Sequence, residues 1–159
     1  MGEFHSTSDY KRYLSAIAGF RFAVEPLLSG TLPPAFGGWR PSRIAAELRA
    51  DLADLGLPEP PPLAIGLAPR STDELIGAFY VLEGSAFGAR LLYQRAQDLG
   101  LTATHGARHL AAQSLSLDAW RGLLTIMDAT EPFDAEVAAG AASATFAAAE
   151  RAFLETAHV

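Results

Sequence analysis

Cysteine is absent from all 159 residues. That excludes disulfides, Cys-ligated zinc, iron–sulfur clusters, thiolate ligation of haem and every cysteine nucleophile. Charge is also sparse, at 19% of residues, and 12 basic against 18 acidic side chains leave a net charge of −6. A chain so short of positive charge lacks the broad basic face that nucleic acid requires, although a local cation would still suit one small anionic ligand. No apolar run reaches the roughly 20 residues of a membrane span, and Met1-Gly2-Glu3-Phe4 carries no secretory pattern. The expectation is a cytoplasmic protein with no nucleic-acid and no membrane partner.

Half of the residues are hydrophobic. A chain of this length buries roughly 68–70% of its unfolded surface, enough for one self-sufficient core. The expected organisation is a single domain over residues 1–159, with the first seven residues either disordered or added in cloning. Apolar residues from Tyr10 to Leu28 recur at three and four, predicting a helix over 8–28 with Ser8 or Asp9 as its cap. Further helices are predicted over 42–55, 71–99, 107–114, 117–127 and 134–156, the third started by a Ser71/Glu74 capping box and the last by Asp134. Gly56 and Gly100 are placed as terminators. Residues 58–70, with five prolines, form a connector whose Leu63, Ile65 and Leu67 lie against the body. No stretch alternates at strand period, so the fold class is all-α.

The third helix carries Gly77, Gly84 and Gly88, each costing about 0.5–1 kcal/mol relative to Ala. Spacings of seven and four put them on one face. A bare helical face admits close approach, either by another helix or by a flat ligand.

The surrounding stretch, Phe79-Tyr80-Val81-Leu82-Glu83-Gly84-Ser85-Ala86-Phe87-Gly88-Ala89-Arg90, resembles the distal-helix signature of bacterial biliverdin-producing haem oxygenases of the phytochrome-associated type. Asp9-Tyr10-Lys11-Arg12-Tyr13-Leu14, Ala119-Trp120-Arg121 and the run from Ala144 through Phe146 to Phe153 are similar to other helices of that family. The resemblance implies a compact multi-helix haem oxygenase-like domain that cleaves haem oxidatively to biliverdin, releasing iron and carbon monoxide. It implies haem as both cofactor and substrate, an external electron donor, and a bacterial phytochrome or regulator as a further partner. Gly84, Ser85 and Gly88 would serve the catalytic face. Tyr80, Arg90, Arg121, Phe146, Phe153 and Lys11 would contact the cofactor, Arg121 as a planar fork on a propionate. Phe146 and Phe153 read equally well as core residues seven apart.

Ala89 stands where the family pattern has a third glycine, and the pattern's proximal histidine belongs to a helix before the one starting near Ser8. His5 is the histidine that stands before Tyr10 here, five residues upstream, so it is the candidate iron ligand. The alternative reading is a non-catalytic relative that binds a tetrapyrrole or a protein partner. His105 and His109, four apart, are expected to be surface residues. Glu155-x-x-His158 lacks the second such pair that a di-iron site needs. Gly84-Ser85-x-x-Gly88 is not a hydrolase nucleophile elbow.

Overall fold

The computed structural model describes residues 4–157. Among these residues seven α-helices follow one another: α1 (Thr7–Leu28), α2 (Ala45–Asp54), α3 (Thr72–Gly84), α4 (Ala86–Asp98), α5 (Arg108–Ser114), α6 (Leu117–Ala129) and α7 (Ala135–Thr156). Among the described residues there is no strand, and pairing is limited to isolated bridges from Thr102 to His105 and Gly106. His158 lies outside the described residues.

The α1 cap is Ser6 rather than Ser8 or Asp9: its hydroxyl accepts from the Asp9 backbone at 3.1 Å. Just before it, Phe4 is buried and meets the Tyr10 ring edge-on at 5.0 Å. The packed body therefore reaches back into the stretch expected to be disordered. The α1 helix then serves two cores. Tyr10 and Leu14 pack with Leu48, Leu52, Ala96 and Leu110. One turn and a half later, Phe20 and Val24 pack with Ile76, Phe79, Leu123 and Ala152.

Helix α2 begins at Ala45, three residues later than Ser42, because Ser42 is committed elsewhere. Its backbone N–H and hydroxyl both donate to the buried Glu83 carboxylate, at 2.7 and 2.8 Å. The free N–H groups of Ile44 and Ala45 are instead taken by Glu25 of α1. The Pro-rich connector lies on the body, with Ile65 buried and Leu63 beside the bare backbone of Gly19.

The element predicted as one helix over 71–99 is interrupted at Ser85. Its capping box forms as expected, with Ser71 and Glu74 each satisfying the other's backbone N–H. At Ser85 the hydroxyl turns back to donate to the Leu82 carbonyl at 2.6 Å, a side-chain bond that competes with the helical ladder. Together α3 and α4 are long and apolar enough for a bilayer span, but half of that window is buried inside the fold, as in a core helix.

Candidate active site

The three glycines of this element do different work. A Cβ on Gly77 would collide with the Ala138 backbone, so this position is the seam where α3 rides on α7. Gly84 faces the Trp120 ring, and nothing lies within 4 Å of a Cβ built on Gly88. Gly84 and Gly88 open onto a cavity of about 530 Å³. Of the two readings of the bare face, helix packing holds at Gly77, whereas Gly84 and Gly88 line the cavity.

The cavity is almost wholly apolar. Tyr80 and Phe87, from either side of the interruption, meet Trp120 of α6 at ring distances of 4.9 and 5.4 Å, the second contact perpendicular. To the same lining α1 contributes Tyr13, Ile17 and Phe20, and α7 contributes Phe146 and Phe153. Tyr13 and Phe153 stack with ring centroids 6.1 Å apart. An apolar, aromatic-lined cavity with a bare glycine surface suits an apolar planar ligand.

Polar side chains interrupt that lining at Tyr13, Arg21, Tyr80, Ser85 and Gln113. The Gln113 amide donates to the Ser85 hydroxyl at 2.9 Å, while that hydroxyl donates to Leu82. Arg21 is buried; its Nε donates to Glu25 at 2.9 Å and one terminal nitrogen to the Ser42 carbonyl at 3.2 Å. Its positive charge is thus held against the cavity wall by a carboxylate that also caps α2.

Behind Tyr13 lies a hydrogen-bonded chain. The Tyr13 hydroxyl is 3.1 Å from His109 Nε2, and His109 Nδ1 is 2.8 Å from Asp51. Asp51 also accepts from the backbone N–H groups of Arg108 and His109. A carboxylate on Nδ1 sets that nitrogen as the donor, so Nε2 accepts from the tyrosine. His109 and Asp51 have no exposed side-chain surface. Burial holds the imidazole below its ordinary pKa, and burial likewise pushes the Tyr13 phenol above its own. His109 is therefore not the surface residue expected from sequence. His105 is exposed, 3.7 Å from Asp54, and among the described residues no three metal-ligating groups converge.

The candidate residues divide by position. Gly84, Ser85, Gly88, Tyr80, Phe146 and Phe153 line the cavity together. Lys11, Arg90 and Arg121 lie outside its wall, Arg121 being largely exposed and paired with Asp118. His5 is exposed and also outside the wall, its backbone N–H bonded to Asp9. Sequence reasoning missed Arg21 and Gln113. A charged pair at Arg21 and Glu25, inside an otherwise apolar stripe, was a local signal for the first. Gln113 had none.

No protein-family model matches the chain. Haem oxygenase PigA of Pseudomonas aeruginosa is 34% identical over 131 residues, covering 80% of this chain and 66% of that protein. The chain thus spans just under two thirds of the length of this curated relative. The crystal structure of the NO- and CO-bound haem oxygenase of Neisseria meningitidis superposes with a TM-score of 0.75, at 26% identity, over 96% of this chain and 78% of that one. Sequence and architecture agree with the glycine-lined, aromatic-walled cavity: the chain belongs to the haem oxygenase family.

Proposed function

We propose that the chain binds haem in this cavity and cleaves it oxidatively to biliverdin, with release of iron and carbon monoxide. The observation that supports this most directly is the open surface at Gly84 and Gly88, roofing an apolar space of about 530 Å³. The residues present fit the group: the bare backbone is a cradle that any side chain would fill, and Trp120, Phe153 and Ile17 supply flat apolar contact. When bound, haem supplies the iron that activates dioxygen and is also the molecule consumed.

The chain's own contribution is to bind, orient and exclude water. Phe146, Phe153 and Tyr80 hold the macrocycle by apolar contact. Gly84 and Gly88 leave room between backbone and ligand. The Ser85 hydroxyl, fixed by Gln113 and Leu82, keeps an acceptor lone pair at the cavity for an ordered water, and Arg21 sets a positive field there. Carboxylates on the ligand would meet cations at the rim. Arg121, Arg90 and Lys11 are close in sequence to the wall residues Trp120, Ala89 and Tyr13 and are the candidates for that contact, though none is part of the wall itself. Electrons come from an external donor. A phytochrome-type acceptor of biliverdin and a cytoplasmic setting complete the reading.

The test is a hemin titration followed by absorbance, then ascorbate in air. A saturable Soret band that decays to a biliverdin spectrum is expected. A Soret band that persists under reductant and air would make the protein a tetrapyrrole carrier, and no saturable band would sink the haem reading.

A further inference from the structure

Of the polar side chains in the cavity wall, Arg21 is the one that carries a charge. An ion pair buried in an apolar wall gains little stability over apolar packing, so the fold alone does not call for it. The Arg21 Nε donates to Glu25 and Nη2 to the Ser42 carbonyl. The other terminal nitrogen, Nη1, makes no hydrogen bond within the protein. Yet among the described residues every fully enclosed side-chain nitrogen and oxygen has a partner. Nη1 is therefore not enclosed, and it opens on the cavity that its side chain lines. The two carboxylates of this corner are committed elsewhere. Glu25 also accepts from the backbone N–H groups of Ile44 and Ala45, and Glu83 accepts from the backbone N–H and hydroxyl of Ser42. Neither glutamate belongs to the wall. The cavity thus meets the cation and not its counter-charge.

Building on the haem reading above, we propose that Arg21 forms an anion subsite inside the cavity, its Nη1 donating to one negatively charged group that is either a carboxylate of the planar ligand or a small free anion beside it. The chemistry common to both is a charge-assisted hydrogen bond in a space that is otherwise almost wholly apolar. With its side chain 3% exposed, Arg21 acts where charges are screened far less than in water. It is a specificity-determining residue: of two ligands with the same shape, the anionic one gains this bond and the neutral one does not. Arg90, Arg121 and Lys11 lie outside the wall, so they do not supply this interior charge.

The experiment compares the wild type with the double variant Arg21→Met/Glu25→Gln, which removes both charges together so that neither is left buried alone; circular dichroism verifies its fold. In one arm, metal-free protoporphyrin IX and its uncharged dimethyl ester are titrated by fluorescence. In the other, the ferric hemin complex is titrated by absorbance with azide, an anion, and with imidazole, a neutral ligand. The expected result is an affinity lower by about 10–100-fold in the double variant for the anionic probe of at least one arm, the size of a hydrogen bond to a charged group, with both neutral probes unchanged. A loss confined to the porphyrin diacid assigns the subsite to a ligand carboxylate, and a loss confined to azide assigns it to a free anion. Unchanged affinity for both anionic probes, or equal losses for charged and neutral ones, would overturn the assignment and leave the haem reading standing. Failure of the wild type to bind either porphyrin would overturn both.

Discussion

Gly77 of α3 sits so close to Ala138 of α7 that a Cβ there would be 2.9 Å from the Ala138 carbonyl carbon and 3.0 Å from the Ala141 methyl. Backbone blocks that space, so the neighbour has no flexible end to move. Gly77→Ala should therefore destabilise the protein by about 1–3 kcal/mol despite the better helix propensity of Ala. Gly88→Ala, on α4 with nothing within 4 Å, should gain about 0.5–1 kcal/mol. Urea unfolding of the two variants checks the opposite signs. Equal effects would mean that the glycines do not have separate roles.

Gly84→Leu tests the roof. A Cβ at this position would stand 3.4 Å from Trp120, an ordinary contact, but the remaining atoms of leucine must occupy the cavity or displace the indole. The expected outcome is a folded protein by circular dichroism that forms no saturable Soret band with hemin. Retained binding and turnover would show that the ligand does not lie against this face.

Which parts of this arrangement were legible in the sequence follows from how local their causes are. The capping box at Ser71 and Glu74, and the terminators Gly56 and Gly100 at φ of 65° and 83°, depend on residues a few positions apart, and they stand where the pattern put them. The interruption at Ser85 was hidden because serine bonding back three residues looks, in sequence, like any serine in an apolar helix. The late start of α2 came from Glu83, 41 residues away from Ser42. His109 was misread for the same reason: Asp51, which makes its burial tolerable, lies 58 residues earlier. Spacing put Gly77, Gly84 and Gly88 on one face, but the fold sets Gly77 against α7 and only Gly84 and Gly88 along the cavity, a division that depends on distant packing.

The Arg21–Glu25 pair should behave as a unit. Both side chains are nearly out of solvent, at 3% and 10% exposure, and Glu25 also serves the N–H groups of Ile44 and Ala45. Removing one partner leaves the other charge buried without compensation, a loss of about 3–5 kcal/mol. Arg21→Met and Glu25→Gln should each approach that cost, and the double variant should lose much less than the sum. A double-mutant cycle by chemical denaturation measures the coupling. Strict additivity would mean that water screens the pair through the cavity mouth.

Glu74 sets the acid limb of α3. Its carboxylate accepts from the backbone N–H groups of Arg70 and Ser71, at 2.7 and 3.2 Å, and these bonds hold its pKa below the usual glutamate value of about 4.3. A group whose pKa is lower folded than unfolded adds stability above its unfolded pKa and loses it as pH falls through the folded one. The contribution of Glu74 is therefore complete at neutral pH, starts to fall near the unfolded glutamate pKa of about 4.3 and is lost as pH drops through the lower folded pKa. Glu74→Gln keeps an oxygen for the same N–H donors but removes the titration. Thermal unfolding between neutral pH and about pH 3 should show a shallower acid dependence for Glu74→Gln than for the wild type, with the two curves converging at the acid end. Parallel curves across that range would show that the cap draws nothing from the charge of Glu74.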